Sequence, residues 1–293
     1  MQKIKKAIIP VAGLGTRMLP ATKAIPKELL PIIDKPLIQY VVEEAIAADI
    51  QEIVFITRSG KEAIENHFDA NFELEKTLKN TGKSKILESI KNIIPKNLII
   101  TSVRQENPKG LGDAILCAEH IVKNEPFAVL LPDEILMSNS KKSDLSEMLS
   151  QHNKTKSYQI LVEKISKKNV ENYGIISPKN PIKKGEKTIP LKGLIEKPSP
   201  SKSPSNIRII GRYLLPPEIM DSIKLTKPGK NKEIQLTDAI NNLISNEECE
   251  FNAVISDSQI FDCGSKEGFL NANIAFSLKD KDLKNIIRRR LNK

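Results

Sequence analysis

The sequence contains no tryptophan, and aromatic residues make up only 4% of its 293 positions. It also lacks any apolar run long enough to cross a bilayer, so a membrane protein is not expected. The net charge of +10 would suit an anionic partner, but only eight of the 46 basic residues are arginines and the lysines are spread along the chain. Nucleic-acid binders concentrate arginines or interleave basic residues with aromatics, so nucleic-acid binding is not expected either.

Cysteine and histidine are scarce, with three of each. The cysteines are odd in number and far apart, which indicates neither a disulfide framework nor a zinc site. They are Cys117, Cys249 and Cys263. The histidines show no metal-ligand spacing, and each is expected on a helix surface. They are His67, His120 and His152.

The N-terminus, "MQKIKKAIIPVAG", has a basic start and a short apolar stretch, which superficially resembles a signal peptide. The apolar stretch runs on into Arg17 and Lys23 with no small-residue cleavage pattern. We therefore predict that it forms the first strand of the fold and that the protein is cytoplasmic.

Short runs rich in valine and isoleucine alternate with amphipathic helical segments in the first half of the chain. Strands are predicted at 5–12, 52–58, 97–105 and 126–136, and helices at 36–49, 61–69 and 111–122. Buried strands that alternate with helices indicate a parallel sheet with helices on both faces. The predicted fold class is α/β, with a Rossmann-like, mixed but mostly parallel central sheet that binds ligands at the carboxyl ends of its strands.

After about residue 145 the predicted strands are separated by loops rich in lysine, proline and serine. Strands are predicted at 157–165, 173–178, 187–198, 206–216 and 250–264, and helices at 232–246 and 265–280. We expect a smaller β elaboration followed by C-terminal helices. Since no internal repeat or clean boundary is visible, we predict a single domain over 1–293, divided approximately into 1–145, 146–264 and 265–293.

The segment "AGLGTRMLPATKAIPKELLP" follows the first predicted strand and contains two close glycines. It lacks the third glycine of the dinucleotide fingerprint, where Met18 stands, and it does not match the P-loop pattern. Its three prolines also prevent it from continuing as one long helix. We therefore interpret it as a long loop at the end of the first strand.

This loop has the composition of a phosphate site. Gly13 and Gly15 allow backbone N–H groups to approach an anion, while Arg17 and Lys27 supply positive charge. Such a loop suits a nucleoside triphosphate that loses pyrophosphate. The alternative, a merely flexible glycine turn, is weakened by the two cations in the same loop. Lys23 is close in sequence and is either part of this site or a surface lysine.

Two aspartates follow apolar strands. Asp133 ends "AVLLPD", at the sheet edge where ligands bind in α/β folds. Asp262 follows another apolar run in "FDCG", and because Gly264 is close it is also compatible with a turn or cap. Glu134 is expected to alternate to the other side of a strand and is left out of the site.

The motif "AGLGTRMLPATKAIPKELLPIIDKPLIQY" closely resembles the signature of the sugar-1-phosphate nucleotidylyltransferases. The likeness continues in the same order through "ENHFD", "FELE", "VRQ", "KGLGDAI", "LLPDEIL", "YGII", "LIEKP", "SNIRIIGRYLL", "EIQLTDAI" and "DCGSKEGF". It covers about the whole chain, and "ENHFD" and "FELE" resemble the uridylyl branch. The resemblance implies that 1–145 binds a nucleotide and that 146–264 binds a sugar phosphate.

The resemblance also implies roles for single residues. The backbone around Ala12, Gly13 and Gly15 would hold the nucleotide, and Gln105 and Gly112 would contact its base. Gln105 would read the uracil edge through its amide, and Gly112 would let the base lie against the backbone. Asp133 and Asp262 would bind Mg²⁺, which takes one or two carboxylates plus phosphate oxygens. Without the resemblance, Gln105 is an ordinary polar residue at a strand end.

The implied sugar side consists of Gly174 and Glu196 at the glucose hydroxyls and Lys197 at the sugar phosphate. Arg17 would neutralise the departing pyrophosphate, and Lys27 would bridge phosphates of both reactants. The implied reaction is direct, in-line attack of glucose 1-phosphate on UTP, giving UDP-glucose. It needs no histidine or cysteine.

The resemblance further implies a homo-oligomer, a dimer or a tetramer. The apolar residues Phe269, Leu270, Ile274 and Phe276 would form such an interface or pack on their own domain. Three alternatives remain open for the function: a thymidylyltransferase on the same scaffold, a catalytically silent sugar-nucleotide-binding regulator, and a basic nucleic-acid-binding module.

Overall fold

A computed structural model describes residues 2–138, 140, 142–183, 185–229 and 232–291. Within these residues, no helix is long and apolar enough to cross a membrane. The basic stretch at 286–291 lies on the last helix, where three of its four last-turn residues are cationic arginines, as expected at a helix C-terminus.

The strands are β1 Lys6–Pro10, β2 Pro31–Ile32, β3 Lys35–Pro36, β4 Glu52–Thr57, β5 Ile99–Arg104, β6 Phe127–Leu130, β7 Glu134–Met137, β8 Tyr158–Lys164, β9 Gly174–Pro178, β10 Thr188–Glu196, β11 Ile207–Leu215, β12 Phe251–Ile255 and β13 Gln259–Asp262. The helices are α1 Leu37–Ala47, α2 Glu62–Phe68, α3 Phe72–Asn80, α4 Ser84–Lys91, α5 Leu111–Leu116, α6 Glu119–Val122, α7 Asp144–Thr155, α8 Ile219–Leu225, α9 Leu236–Ser245, α10 Lys266–Lys279 and α11 Lys281–Leu291.

The central sheet has nine strands in the order β5-β4-β1-β6-β11-β8-β12-β10-β9. Its first four strands are parallel, with Ile8 of β1 opposite Val54 of β4 and Val129 of β6. Their short valine and isoleucine runs suit strands that are covered on both faces. The predicted α/β fold with a mixed sheet is confirmed.

The second half of the chain extends this same sheet. β11 pairs antiparallel with both β6 and β8, β12 runs parallel to β8, and β10 and β9 close the edge with antiparallel pairings. The expected β elaboration is therefore continuous with the nucleotide half. The division into 1–145, 146–264 and 265–293 stays a prediction.

Alternation along the strands sends side chains into two cores, one on each face of the sheet. On β1, Ala7 and Ile9 belong to the core beneath α1 and α7, whereas Ile8 belongs to the core beneath α5, α8 and α9. All three side chains are fully buried. The helices therefore lie on both faces, as the sequence pattern predicts.

Two predicted strands were wrong in extent. The run 126–136 is not one strand, because it turns at Leu131–Asp133 between β6 and β7, and the run 250–264 is interrupted between β12 and β13. β7 and β13 leave the main sheet and pair antiparallel with each other. The predicted helix 111–122 is likewise divided into α5 and α6, and the helix predicted from residue 232 begins at Leu236.

The prediction that all histidines lie on helix surfaces was wrong for His152, which is only 1% exposed. Its Nδ1 lies 2.8 Å from the carbonyl oxygen of Ser157, and its ring is close to that of Tyr158. The side chain at this helix end is buried because it satisfies the turn that leads into β8.

Of the four apolar residues of α10 considered for an interface, two pack on their own domain and two do not. Phe269 and Phe276 pack against the core, and the Phe276 ring lies 5.0 Å from that of Tyr40. Leu270 and Ile274 remain exposed on α10.

Candidate active site

The glycine loop follows β1 and folds into three short 3-10 turns, Thr16–Met18, Ala21–Lys23 and Lys27–Leu29. Gly15 has φ +67°, a conformation that favours glycine, and Thr22 Oγ1 donates to its carbonyl oxygen at 2.8 Å. A Cβ on Gly15 would lie 3.1 Å from Cβ of Lys27. The glycine at position 15 thus allows the loop backbone to pack closely against Lys27.

Arg17 and Lys27 both reach Asp133. Lys27 Nζ donates to Asp133 Oδ2 at 2.6 Å, and an Arg17 nitrogen lies 3.7 Å from the same oxygen. Arg17 also lies 3.7 Å from Asp262 Oδ2, while its side chain stays 62% exposed. Lys23 is exposed. The loop therefore brings Arg17 to both predicted metal ligands and Lys27 to one of them, Asp133.

The two aspartates come from segments 129 residues apart. Asp133 lies in the turn after β6, and Asp262 ends β13, opposite Glu134 of β7. The backbone N–H of Cys263 donates to the carbonyl oxygen of Asp133 at 2.8 Å. This small β7–β13 ladder is the local structure that sets the two carboxylates beside each other.

The charges of this cluster depend on each other. Burial by itself would raise the pKa of Asp133, but Lys27 and Arg17 hold it below its usual value. Burial likewise opposes the charge on Lys27, yet Asp133 and Glu28 raise the pKa of the ammonium above its usual value. Both groups are therefore charged at neutral pH.

The fit of a divalent cation can be judged from Gly264. A Cβ at this position would lie 2.6 Å from Asp133 Oδ2, 3.0 Å from Asp262 Oδ1 and 2.5 Å from an Arg17 nitrogen. Both carboxylates thus face one small space that only a glycine leaves open. The described residues contain no cluster of three or more potential metal-binding side chains. A pair of carboxylates fits Mg²⁺, which keeps most of its sites for phosphate oxygens and water.

On the predicted base side, Gln105 follows β5 and is 6% exposed. Its Nε2 donates to Asp113 Oδ2 at 2.6 Å. Gly112 is packed against Ile234, where a Cβ would lie 2.8 Å from Ile234 Cγ2, and its N–H donates to the Ile234 carbonyl. Close backbone packing therefore accounts for the glycine at 112, and a contact with the base stays a prediction. Ala12 and Gly13 lie directly after β1.

The predicted sugar side forms one cleft of about 260 Å³. Gly174, Glu196 and Lys197 all line it, together with Leu131, two residues before Asp133, and Glu134, directly after it. A Cβ on Gly174 would lie 3.3 Å from Glu196 Oε2, so the glycine leaves room beside this carboxylate. Lys197 Nζ lies 3.1 Å from Glu196 Oε1. The cleft adjoins the aspartate pair.

Glu134 is held by a different partner from the aspartates. Arg208 Nη1 donates to Glu134 Oε1 at 2.8 Å, and Arg208 also binds Glu163. The exclusion of Glu134 from the metal ligands stays a prediction, and strand alternation does not explain it, since Asp133 lies in a turn and not on a strand.

Sequence reasoning missed several supporting residues. Arg212 is 0% exposed; it binds Glu44 and donates to the carbonyl oxygens of Leu131 and Glu134, both at 2.9 Å. Arg212 therefore binds the backbone on both sides of the turn that contains Asp133. The only signal was an arginine inside the apolar run "IIGRYLL", since buried arginines are normally paired.

Glu28 and Lys61 form a second missed pair. Glu28 is 1% exposed, and Lys61 Nζ donates to its Oε2 at 2.6 Å. Burial raises the pKa of Glu28 and lowers that of Lys61. Because Glu28 is adjacent to Lys27, this pair ties the end of the glycine loop to the segment after β4.

The described cysteines are free thiols. Burial raises the pKa of the Cys263 thiol, to which Asp133 and Asp262 add, and burial also raises that of Cys117. A thiol whose pKa is raised is a poor nucleophile at neutral pH.

The geometry places a glycine-rich loop with two cations beside a pair of carboxylates and a polar cleft, after the carboxyl ends of β1 and β6. Residues 6–277 match the Nucleotidyl transferase family, and the chain belongs to this family. Nucleotidyl transferases of this kind generally use a divalent metal.

Within the family, the chain is 47% identical over 281 residues to the UTP–glucose-1-phosphate uridylyltransferase of Haemophilus influenzae, covering 95% of each chain. It is similar to the structure of a UTP-bound UGPase from Acinetobacter baumannii, with 43% identity, 99% coverage of both chains and a TM-score of 0.90. It is also similar to a UDP-glucose pyrophosphorylase complexed with UDP-glucose, with 40% identity, a TM-score of 0.85, and coverage of 94% of this chain and 100% of the other.

Proposed function

We propose that this protein transfers a uridylyl group from UTP to glucose 1-phosphate, giving UDP-glucose and pyrophosphate. The observation that carries the proposal is the contact of Arg17 and Lys27, both from one glycine loop, with Asp133 beside the cleft that holds Glu196 and Lys197. The near full-length similarity to uridylyltransferases supports this choice of substrates.

The reaction is a direct displacement. An ionised phosphate oxygen of glucose 1-phosphate attacks the α-phosphorus of UTP, and the bond from that phosphorus to the bridging oxygen of the β-phosphate breaks. Pyrophosphate leaves with the electron pair. Since the attacking oxygen already carries charge, no general base is needed, and catalysis consists of positioning and charge stabilisation.

In this proposal three cations act on the phosphates. Arg17 is exposed enough to turn from the aspartates to the departing pyrophosphate. Lys27 bridges phosphates of both reactants, and Lys197 binds the phosphate of the sugar. Once Arg17 has turned and all three cations face the phosphates, they stabilise the charge that develops in the transition state and so lower the barrier.

Asp133 and Asp262 would hold Mg²⁺, which when bound neutralises phosphate charge. Their shared space beside Gly264 supports this assignment. Lys27 and Arg17 counter the two carboxylates in its absence.

The remaining residues select the substrates. Ala12, Gly13 and Gly15 surround the triphosphate, and Gln105 with Gly112 receives the base. Glu196, with Gly174 leaving space at its side, accepts hydrogen bonds from glucose hydroxyls.

The test is pyrophosphate release from purified protein with Mg²⁺ and glucose 1-phosphate, comparing UTP with dTTP. Fast release with UTP alone supports the proposal, whereas comparable rates with dTTP indicate the thymidylyl alternative. Protein that binds UDP-glucose but releases no pyrophosphate from either nucleotide would be a silent regulator. Tight, salt-sensitive binding of nucleic acid would revive the third alternative.

We also propose a homo-oligomer, dimer or tetramer, joined through α10. The exposed Leu270, Ile274 and Leu278 follow each other at intervals of four residues and so share one helix face. UTP and sugar phosphates are cytoplasmic metabolites, so we propose that the protein acts in the cytoplasm.

A further inference from the structure

The side-chain contact between Gln105 and Asp113 has a chemical consequence for base selection. Gln105 is nearly buried, and its backbone N–H donates to the carbonyl oxygen of Thr57 at 2.8 Å. Its side-chain Nε2 donates to Asp113 Oδ2 at 2.6 Å. The backbone and one end of the amide are therefore both fixed.

Asp113 is itself held firmly. It lies in the first turn of α5, directly after Gly112, whose N–H donates to the Ile234 carbonyl at 2.9 Å. The N–H of Ile234 in turn donates to the carbonyl of Lys109 at 2.7 Å. This reciprocal pair of backbone bonds, together with the packing of Ile234 on Gly112, fixes the start of α5.

A glutamine amide has a donor end and an acceptor end, and the two have nearly the same shape. An ionised carboxylate only accepts hydrogen bonds, so Asp113 binds the NH₂ end and not the carbonyl end. Among the described residues none donates a hydrogen bond to Gln105 Oε1. The carbonyl oxygen is therefore left for another partner.

We propose that Asp113 is a positioning residue that locks the Gln105 amide with its oxygen toward the base, so that the site accepts a base with a proton at N3. Uracil and thymine carry an N3–H, whereas N3 of cytosine is an acceptor and would face an oxygen. The inference rests on the proposed function, in which Gln105 receives the base. It adds a device that rejects CTP without contacting the nucleotide.

The test variant is Asp113→Asn, because the new amide can donate to Gln105 Oε1 and so permits the flipped orientation. The ratio of kcat/KM for UTP to that for CTP is expected to fall at least about tenfold. In the parent, the N3 acceptor of cytosine would face the Gln105 oxygen without a donor, and the flipped amide removes this penalty. The ratio for UTP to dTTP is expected to stay unchanged, because both bases carry an N3–H. KM for glucose 1-phosphate should also stay unchanged.

Three further variants separate the lock from a structural effect. Asp113→Glu keeps an acceptor-only group and should retain more of the UTP preference than Asp113→Asn. In a Gln105→Ala background, Asp113→Asn should leave the UTP to CTP ratio unchanged, since there is no amide left to orient. Asp221→Asn changes an exposed aspartate on α8; it is the matched control and should behave as the parent protein.

Equal losses with UTP and CTP in Asp113→Asn, with the ratio intact, would overturn the proposal. Calorimetric titration of UTP and CTP, without glucose 1-phosphate, measures the same preference without turnover. A protein that prefers UTP in binding but releases no pyrophosphate would refute the proposed function alone. One that turns over UTP but keeps its preference in Asp113→Asn would refute the lock alone.

Discussion

Cys263 donates its backbone N–H to the carbonyl oxygen of Asp133 at 2.8 Å. This bond joins the turn after β6 to the end of β13 and so sets Asp133 beside Asp262, although the two are far apart in sequence. It is the link between the fold of the β7–β13 ladder and the chemistry of the carboxylate pair.

Replacing either aspartate should abolish most of the activity. Asp133→Asn and Asp262→Asn each keep the side-chain volume but remove a negative charge from the metal-binding pair. We expect kcat to fall by about 10²–10³-fold, the scale seen for the loss of one preorganised charge-stabilising group. Pyrophosphate release as a function of Mg²⁺ concentration measures this, and the half-saturating concentration should rise.

The matched control is Asp257→Asn, an exposed aspartate whose partner is Lys187. It should have the activity and the Mg²⁺ dependence of the parent protein. Variants of Asp133 and Asp262 that keep full activity would rule out the proposed metal ligands.

Gly264→Ala should inactivate the protein without unfolding it. The added methyl would lie about where the two carboxylates and Arg17 converge, 2.6 Å from Asp133 Oδ2. The backbone does not need a positive φ here, so alanine adds no conformational strain. We expect a loss of Mg²⁺-dependent pyrophosphate release with an unchanged circular dichroism spectrum.

Gly13→Ala adds the same methyl group at a position where a Cβ has room, and so serves as the comparison for stability. A Cβ there would meet only the end of the Lys27 side chain, at ordinary contact distances of 3.7 and 3.9 Å. The thermal midpoint of both variants should stay close to that of the parent. If Gly264→Ala remained active, the shared space would not be the metal site.

Much of the fold could be predicted because its signals are local. Neighbouring residues alone show the apolar runs of β1, β4 and β6 and the amphipathic pattern of α1. The position of the glycine loop after β1 could be predicted in the same way, and its binding of phosphate through Arg17 and Lys27 stays a prediction. The cluster with Asp133 follows the rule that ligands bind at strand ends.

The rest depends on contacts between distant segments. Nothing near Arg212 in the sequence indicates that it binds Glu44 and the turn at Asp133, 168 and about 80 residues away. The break of the run 126–136 into β6 and β7 lies at Pro132 and Asp133, a local turn signal that was passed over because apolar residues stand on both sides of it. Burial of His152 likewise depends on the turn at Ser157 and on β8, not on the periodicity of α7.

The buried pair of Glu28 and Lys61 should show strong coupling in stability. Lys61→Met leaves a buried carboxylate without its partner and should lower the free energy of unfolding by about 3–5 kcal/mol. The double variant Glu28→Met with Lys61→Met removes both charges and should recover most of that loss. Urea unfolding of the parent, both single variants and the double variant gives the coupling energy.

The pH dependence adds a second check on this pair. Burial already raises the pKa of Glu28, and removal of Lys61 raises it further. Folding of Lys61→Met then favours the protonated carboxyl more than folding of the parent does, so the deficit should grow as pH rises above the raised pKa that Glu28 has in the parent. Additive single-variant losses at all pH values would show that the two side chains are independent.

Lys27 should stabilise the folded protein over a broad pH range. The folded-state pKa of Lys27 is raised, so its contribution is full below pH 10.5 and is lost as pH rises through the raised value. The folded-state pKa of Asp133 is lowered, so its contribution is full above pH 3.8 and is lost as pH falls through the lowered value. Lys27→Met should therefore cost about 3 kcal/mol between these limits.

Chemical unfolding of the parent and Lys27→Met at several pH values tests this. The difference in unfolding free energy should be flat between pH 5 and 9 and should shrink at both extremes. Lys187→Met, which breaks the exposed pair with Asp257, serves as the control and should cause no measurable change. A difference that persists unchanged beyond both limits would exclude the ion pair as its source.

Ile274→Glu should dissociate the proposed oligomer. Ile274 lies at the centre of the exposed face formed with Leu270 and Leu278 on α10, and it is 43% exposed in the single chain. Its neighbours Phe269 and Phe276 already fill the core side of the helix, so a charge at 274 faces away from the protein's own core. Light scattering coupled to size-exclusion chromatography should show the mass falling to that of one chain.

An isoleucine-to-glutamate substitution at another exposed position tests whether any added charge changes the oligomeric state. Ile86→Glu changes a 50% exposed isoleucine on α4, and this variant should have the same mass in solution as the parent. Because the carboxylate pair, the glycine loop and the sugar cleft come from one chain, the dissociated Ile274→Glu protein should retain its catalytic residues and release pyrophosphate. A parent protein that is already monomeric would contradict the oligomer, and an unchanged mass in Ile274→Glu would move the interface away from α10.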